Sequence, residues 1–429
     1  MAAGRSAAAG GDLRVALLVL AIVAVTLALI VVRPGRVGEP LAAALGAGAM
    51  LAVGAVSPAD ALAVLGETRD VLLFLFGMML LTWAAEEAGV FERLALAVEL
   101  GAGGSGRRLY VLVFVLAAVV TALLSLDVTV LILTPVVFAL VTRLRLDALP
   151  FMFACTFVAN TGSLALPVSN LTNLLVHSQT GLGFGAFAGR MWLPNVVAVA
   201  TNLACFLWLF RDRLPDRFEP EAAVLGAADW WLRAAAAILA ATLAGLVALG
   251  LLRLPLAWAA LTGGGLLVAV GLAGRRLTLP AAARSVSWPL FVFVVGMFVV
   301  VRGFEQVWLA RLAVTLPADP ARALLAASLG TAVGSNVVNN VPMTLLALSV
   351  VKGAQGPARE PLLYGTVVGA NIGPTLTTFG SLATMLWLTL VRRRGVDVST
   401  RDYLGVSAVT TPVVLAAAIA ALWLVLTVW

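Results

Sequence analysis

The amino-acid sequence predicts an all-α polytopic membrane protein built from two related halves. Of its 429 residues, 62% are hydrophobic and 11% are charged, whereas about 25% of the residues in a soluble globular protein are charged. The apolar residues form twelve long segments, and about 20 apolar residues are enough for one helix to cross a bilayer. A soluble enzyme could not bury this much apolar surface, so the composition excludes that class.

One polar stretch separates the halves. Residues 211–228 carry charges of both signs and two prolines, with six apolar segments before them and six after. Domain boundaries usually fall in polar linkers of this kind. The predicted organisation is a first repeat at residues 1–210, a cytoplasmic linker at 211–228 and a second repeat at 229–429.

Direct comparison of the halves indicates an internal duplication. Residues 73–89 match residues 292–308 at an offset of 219, with Gly, Met and Glu in equivalent places. Further along the chain, residues 159–171 match residues 370–382 at an offset of 211. Two separate matches at nearly the same offset are typical of a repeat.

Two segments are too long for simple spans. As straight helices, residues 109–142 and 321–351 would overshoot the roughly 30 Å hydrocarbon core. Each has polar residues at its middle, so we predict two re-entrant hairpins with those residues at their tips. The tip residues are Ser125 and Asp127 in the first hairpin and Ser335, Asn336, Asn339 and Asn340 in the second.

Two further segments, residues 149–180 and 361–391, are interrupted by Gly, Pro, Ser, Thr and Asn. Backbone that leaves the helix at membrane depth is tolerated only where it lines a cavity or is buried in protein. We therefore predict two broken helices. Their polar residues are Asn160, Thr161, Ser163, Ser169 and Asn170 in the first, and Asn371, Thr375, Thr377, Thr378 and Ser381 in the second.

Each repeat then has five transmembrane spans, one of them a broken helix, plus one re-entrant hairpin. Because five is odd, the second repeat should insert with inverted topology. With both termini outside, 18 of the 28 basic residues fall on the cytoplasmic side. Positive residues favour cytoplasmic loops, so this orientation is the predicted one.

Inverted repeats with paired broken helices are typical of secondary transporters, whose sites lie at the midplane between the repeats. We predict that the hairpin-tip and broken-helix residues named above bind substrate and ion. Asp127 is the only acid near the middle of an apolar segment, and such acids are usually functional. It is expected to couple transport to a proton or cation, although hydrogen bonding to backbone at a hairpin tip is an alternative interpretation.

Catalytic and metal centres are not expected. A membrane-embedded hydrolase needs a nucleophile–base pair or paired aspartates, and the chain has one mid-membrane Asp and one histidine. The two cysteines, Cys155 and Cys205, are expected to be packing residues. The prediction is therefore a transporter, not an enzyme, with no cofactor apart from a proton or sodium as coupling ion.

Three motifs are similar to those of the ArsB-type arsenite efflux permeases. They are SLALPVSNLTNLL at 163–175, SNVVNNVPMTLL at 335–346 and GANIGPTLTTFGSLATMLWL at 369–388. These permeases belong to a wider ion-transporter superfamily, which includes NhaD-type sodium/proton antiporters and divalent-anion/sodium symporters. The resemblance implies a multi-pass cell-membrane permease that extrudes arsenite or antimonite, driven by the proton gradient.

The resemblance also bears on partners and on single residues. It implies a small inorganic substrate and the lipid bilayer as partners, with a soluble ATPase subunit and a homodimer as further candidates, and no nucleic acid. Asp127 matches the acid in the family's N-D-G-A-A-L-I-L-T-P segment, where Leu126 replaces the Asn. Some members have Asp in place of Asn160 or Asn371, and Lys in place of Thr375.

Two functions remain open on the sequence. The first is proton-coupled export of arsenite or antimonite, since neutral As(OH)3 suits a cage of Ser, Thr and Asn. The second is a sodium/proton antiporter or a sodium-coupled anion transporter of the same superfamily. An anion should require basic groups at the site, and neither interruption contains Arg or Lys.

Overall fold

The computed structural model describes residues 2–33, 37–219, 226–309, 316–351 and 353–428, and every regular element in those ranges is helical. The first half contains ten α-helices: α1 (Ala2–Val32), α2 (Glu39–Ala52), α3 (Pro58–Glu87), α4 (Val90–Ala102), α5 (Gly106–Leu123), α6 (Leu126–Val128), α7 (Thr134–Arg143), α8 (Ala148–Thr161), α9 (Leu171–Thr180) and α10 (Phe184–Leu209).

The second half follows the same plan. Its α-helices are α11 (Trp230–Leu251), α12 (Ala257–Ala273), α13 (Leu279–Ser285), α14 (Trp288–Phe304), α15 (Pro320–Val338), α16 (Asn340–Val351), α17 (Arg359–Ile372), α18 (Leu382–Arg393) and α19 (Thr400–Val428). Short irregular helical segments complete the chain: π-helical turns at Thr129–Leu133 and Glu305–Leu309, and 3-10 turns at Gly162–Leu164, Pro167–Ser169, Gly356–Ala358 and Gly373–Leu376.

Eight helical segments in the described part of the chain are long and apolar enough to cross a membrane, or nine if the bent pair α3 and α4 counts as one span. Three of the eight are hairpin arms, at Gly106–Leu123, Leu126–Arg143 and Pro320–Val338. Other predicted spans contain helices too short to cross a membrane on their own. Helix α2 has 14 residues, and so do α8 and α17, the first segments of the two broken helices. Length alone therefore does not identify the spans.

Local sequence fixes where several helices begin. Ser57 and Asp60 form a capping box at the start of α3, in which the Ser57 hydroxyl accepts from the Asp60 amide at 3.1 Å. Asp229 caps α11 in the same way by accepting from the Leu232 amide at 2.8 Å. Such caps satisfy amides that have no partner within the helix, so they set the first turn at the membrane surface.

Equivalent glycines join the two halves. Gly77 of α3 lies so close to α12 that an added Cβ would be 2.4 Å from the backbone of Ala260. Gly296 of α14 lies against α2, where an added Cβ would be 2.8 Å from the backbone of Ala43. Only glycine allows helices to approach this closely. These two glycines are the pair aligned at the offset of 219, so the sequence match corresponds to matching helix contacts.

The first arm of each hairpin runs parallel to the broken helix that follows it. In the first half, the Tyr110 hydroxyl donates to the Pro150 carbonyl at 3.4 Å, and Gly162 lies beside Ala118. Corresponding contacts pair Gly365 with Leu324 and Gly373 with Ala332 in the second half. Because arm and broken helix start at one face, the second arm must return to that face, and each long segment is a hairpin.

The two hairpins enter from opposite faces of the bundle. The linker lies against the starts of α5 and α8, since the Phe218 amide donates to Gly104 at 2.8 Å and Arg213 pairs with Asp147 at 3.3 Å. We call this side the linker face. At the other side, the Arg359 guanidinium at the start of α17 donates to the Thr180 carbonyl at the end of α9, at 2.9 Å. This opposed arrangement is the one expected for inverted repeats.

Candidate functional site

The two broken helices touch each other where they are interrupted. The first break separates α8 from α9, and the second separates α17 from α18. Across this junction the Ser163 hydroxyl donates to the Asn371 side-chain oxygen at 2.6 Å, and the Asn170 amide donates to the same oxygen at 2.5 Å. Residues about 200 positions apart thus share one buried polar centre.

This amide–hydroxyl cluster consists of Ser163, Asn170, Thr172, Asn173 and Asn371. The Asn371 amide nitrogen donates to the Asn173 side-chain oxygen at 2.8 Å and to its own helix at the Val367 carbonyl at 2.7 Å. Asn173 in turn donates to the Ser163 carbonyl at 2.6 Å. All five cluster members are at most 2% exposed, and none of them carries a charge.

Asn160 occupies the place in α8 that Asn371 occupies in α17, but its surroundings differ. Its amide nitrogen donates to the Thr156 carbonyl at 3.0 Å, while its buried side-chain oxygen has no hydrogen-bond partner among the described residues. Nearby, the Thr161 hydroxyl accepts from Asn202 at 3.0 Å. A buried polar atom without a partner is rare in native proteins, so the Asn160 oxygen is a candidate ligand atom.

The tip of the second hairpin packs against the second break. The Asn336 side-chain oxygen accepts from the Thr377 hydroxyl at 2.8 Å, and its amide donates to the Gly373 carbonyl at 2.7 Å. Asn339, with a positive φ of 76°, donates to the Phe379 carbonyl. The backbone N–H of Asn340 donates to the Gly380 carbonyl at 2.9 Å. These bonds satisfy backbone that the break leaves outside any helix.

Other predicted residues of this half have local roles. The Thr375 hydroxyl lies 2.9 Å from that of Thr411, and Ser381 caps α18 by accepting from the Thr384 amide. Ser335 is buried, and its hydroxyl has no partner among the described residues, while Thr378 is half-buried.

The tip of the first hairpin is built differently. Ser125 caps the returning arm, which continues through the π-helical turn Thr129–Leu133, and π-turns occur often at functional sites. The break itself is anchored to the first arm, because the Ser169 hydroxyl donates to the Ala122 carbonyl at 2.6 Å. Asp127 does not join these bonds and instead lines a cavity.

We call this space the tip cavity, and its volume is about 360 Å³. Its polar lining comes from α3, the hairpin tip and the stretch before α14: Thr82, Glu86, Ser125, Asp127, Ser285 and Ser287. No member of the amide–hydroxyl cluster lines it. None of the described residues forms a hydrogen bond or an ion pair with Asp127, so the predicted coupling acid faces the open space of the tip cavity.

The structure therefore places most of the predicted residues in three sets: the amide–hydroxyl cluster, the second tip with its break, and the tip cavity. Asn160, Thr161 and Ser169 lie outside these sets. Sequence reasoning missed Thr172 and Asn173, which follow Asn170 directly. The signal was present, since both polar residues stand at the start of an otherwise apolar helix in the motif SNLTNLL. Glu86 of α3 lines the same cavity as Asp127.

Known proteins share this architecture. The crystal structure of the Alcanivorax borkumensis YdaH transporter superposes with a TM-score of 0.54 at 15% identity, covering 96% of this chain and 98% of that one. The likeness is one of fold. A family model described as CitMHS, citrate transporter, matches residues 18–369.

The chain belongs to this family of membrane transporters. The arsenical pump membrane protein of Escherichia coli strain K12 is 31% identical to this chain, over 95% of this chain and 98% of its own length. The arsenical pump membrane protein of Yersinia enterocolitica is also 31% identical, over 96% of this chain and 99% of its own length.

These relationships agree with the ArsB-type resemblance of the three motifs. Together with the apolar helices, they make the chain a multi-pass transporter of the cell membrane and not an enzyme.

Proposed function

We propose that this transporter exports arsenite or antimonite across the cell membrane in exchange for protons. The observation that carries the proposal is the uncharged amide–hydroxyl cluster at the meeting point of the two breaks, in a chain whose relatives include arsenical pump membrane proteins. The cell-membrane location and the transporter class restrict the activity to movement of a small solute.

The chemistry of the cluster suits a neutral metalloid hydroxide. Arsenite is largely As(OH)3 at neutral pH, and its three hydroxyls can donate to and accept from amides and hydroxyls. A neutral solute loses far less solvation free energy than an ion does when it enters a low-dielectric site. The cluster residues, each at most 2% exposed, could exchange their mutual hydrogen bonds for bonds to such a solute.

The proposed site comprises the polar residues of the two breaks and the two hairpin tips. Asn371 is its centre, and the unpartnered oxygen of Asn160 adds a free acceptor. The remaining proposed ligands are Ser125, Asp127, Thr161, Ser163, Ser169, Asn170, Ser335, Asn336, Asn339, Asn340, Thr375, Thr377, Thr378 and Ser381.

Asp127 is proposed to couple export to the proton gradient. It lies at the tip of the first hairpin. Ser169 of the first break donates a hydrogen bond to the Ala122 carbonyl in the first arm of that hairpin. Movement of the tip with the substrate would therefore change the surroundings of the carboxyl group. A carboxylate without a fixed partner can take up and release a proton at little cost in lost contacts.

A second candidate is transport of an organic anion such as citrate, coupled to sodium, and the family description favours it. A citrate site needs basic side chains or free helix N-termini to balance the charge. No described residue of the amide–hydroxyl cluster is basic. A sodium ion could be coordinated by the Asp127 carboxylate and backbone oxygens of the breaks. The identity of the coupling ion is therefore independent of the identity of the substrate.

Uptake into everted membrane vesicles tests the proposal. With an acidic lumen, vesicles that contain the protein should accumulate arsenite well above vesicles that lack it, and a protonophore should abolish the difference. Citrate uptake and a sodium gradient at zero pH difference serve as the comparison. Arsenite uptake that follows only the sodium gradient would contradict proton coupling, and citrate uptake without arsenite uptake would contradict the substrate.

We also propose the orientation and the repeat boundaries. The basic bias of 18 to 10 favours a cytoplasmic linker face, with repeats at 1–210 and 229–429. A single cysteine introduced at Arg217 in a Cys155→Ser, Cys205→Ser background should stay unlabelled by an impermeant maleimide in intact cells and react in everted vesicles. Labelling in intact cells would reverse the orientation. The soluble ATPase subunit and the homodimer stay predictions.

A further inference from the structure

Two cavities meet at one side chain. The tip cavity is lined by Glu86 and Asp127. A second cavity of about 430 Å³, which we call the outer cavity, is lined by Glu86 and by Glu92, Pro135 and Arg143. Of the described residues, Glu86 is the one that both lining sets share. It stands at the last turn of α3, between the hairpin tip and the linker face.

Contacts place this end of α3 at the linker face. Arg93, which follows in α4, donates to the carbonyl of Gly226 in the linker at 2.5 Å. On the outer cavity, Arg143 at the end of α7 pairs with the buried Glu99 of α4. The outer cavity therefore lies toward the linker face and the tip cavity toward the tip of the first hairpin, and Glu86 lines both.

The neighbouring acids do not offer the same route. Glu87 is exposed, and it lines neither cavity. Glu92 lines the outer cavity only, and Glu99 is held by Arg143. Glu86 is half-buried, and none of the described residues forms a hydrogen bond or an ion pair with it. It is thus a carboxyl group that can change protonation state without breaking a structural contact.

The repeat-related acid shows what a structural glutamate looks like at this place. Glu305 aligns with Glu86, and it lies 3.7 Å from Arg302 in an ion pair. The residue that aligns with Arg302 is Trp83, which cannot pair with a carboxylate. The sequence change from Arg to Trp therefore leaves Glu86 facing the cavities.

We propose that Glu86 is the proton-exchange residue on the linker side, which carries protons between Asp127 and the aqueous phase at the linker face. This inference rests on the proposed proton-coupled export. When substrate binds from the linker side, the Asp127 carboxyl releases its proton and becomes a carboxylate. The Glu86 carboxylate takes up that proton through the tip cavity, which has room for several water molecules, and then releases it through the outer cavity.

The assignment makes Glu86 a relay and not a substrate ligand. Its removal should slow proton movement while leaving substrate binding intact. Glu86→Gln keeps size and hydrogen-bonding capacity but cannot ionise, and Glu86→Asp restores an ionisable group. Glu87→Gln is the matched control, because it removes the adjacent charge outside both cavities.

Purified protein in proteoliposomes provides the measurement. Arsenite is added on the linker side, and proton release is followed with a pH-sensitive dye while arsenite uptake is measured in parallel. In Glu86→Gln the rate of coupled proton release should fall at least about tenfold, since proton-transfer groups typically contribute more than this. Equilibrium arsenite binding, followed by intrinsic tryptophan fluorescence, should stay at the wild-type value. Glu86→Asp should recover most of the rate, and Glu87→Gln should match wild type.

The outcomes separate this inference from the function on which it rests. Wild-type rates in Glu86→Gln, with normal coupling in the wild-type protein, would overturn the relay alone. A Glu86→Asp variant as slow as Glu86→Gln would also overturn it, because the loss would then be one of shape. A wild-type protein that releases no protons with arsenite would overturn the proposed function and the relay together.

Discussion

Asn160 and Asn371 align in the two halves, yet they have different partners. Both amide atoms of Asn371 bond to residues of the first half, including Ser163 and Asn173. The Asn160 side-chain oxygen has no partner in the described part of the chain. Equivalent positions therefore do not have equivalent surroundings: the second break is hydrogen-bonded to the first half through Asn371, and among the described residues Asn160 makes no corresponding bond to the second half.

A second aligned pair shows the same asymmetry. Glu305 is paired with Arg302, which also reaches Glu67 of α3 at 2.5 Å, so the first and second halves are tied together at the face opposite the linker. Glu86 instead faces two cavities near the linker face. The two aligned acids therefore differ: Glu305 is held in an ion pair, whereas Glu86 lines cavities.

The largest expected effect is at the tip cavity. Asp127→Asn keeps the shape of the side chain but cannot ionise, so uptake driven by a pH gradient in everted vesicles should fall to the level of vesicles without the protein. Membrane insertion should be nearly unchanged. Normal coupling in this variant, together with poor expression of Asp127→Ala, would instead identify Asp127 as a structural residue at the hairpin tip.

Substitution of the equivalent glycines tests whether the helix contacts between halves are as similar as their sequences. In Gly77→Ala the new methyl group would meet the Ala260 backbone at 2.4 Å, and in Gly296→Ala the Ala43 backbone at 2.8 Å. Overpacking typically costs about 1–3 kcal/mol, and backbone cannot move aside as a flexible side chain can. Both variants should lose thermal stability in detergent, Gly77→Ala more than Gly296→Ala. Gly265→Ala, whose Cβ would meet nothing within 4 Å, is the control.

The aligned asparagines should respond unequally. Asn371→Ala removes hydrogen bonds to Ser163, Asn170 and Asn173 and leaves the buried Asn170 side-chain nitrogen without a partner among the described residues. A buried group left in this way costs about 1–3 kcal/mol. This variant should be clearly less stable and inactive. Asn160→Ala breaks only a bond to Thr156 within its own helix, so it should remain stable and lose substrate affinity. Thermal unfolding measures the stability of each variant, and arsenite uptake measures its activity. Equal destabilisation of the two variants would contradict the proposed difference between Asn371 and Asn160.

The smallest effect is expected at the ion pairs on the face opposite the linker. Arg302→Gln removes the ion pairs with Glu67 and Glu305, and exposed or partly exposed pairs are worth about 0–1 kcal/mol. Stability should hardly change. A cysteine placed at Val71, which is buried in α3, should, however, react faster with an impermeant reagent in Arg302→Gln than in the parent, because the ion pair between α3 and α14 is gone. Unchanged reactivity would show that other contacts close this face.

Much of the fold could be predicted from the sequence, because the relevant signals are local. The breaks were expected at residues 160–170 and 371–381, and the helices are interrupted from Gly162 to Asn170 and from Gly373 to Ser381. Hairpin tips were expected at the polar clusters, and the chain reverses near Ser125 and Asn339. Small and polar residues in an apolar segment reveal such points directly, since each one breaks the hydrophobic pattern.

The sequence by itself determined that this chain is a membrane transporter, and which polar residues stand at its breaks and tips. Only the tertiary structure decided which of those residues contact one another and which line a cavity. That Asn371 and not Asn160 joins the halves, that Asn173 belongs to the cluster, and that Glu86 opens on the same cavity as Asp127 all depend on contacts between distant residues. Hydrophobic periodicity reports whether a residue faces lipid or protein, but it carries no information about which distant side chain lies opposite.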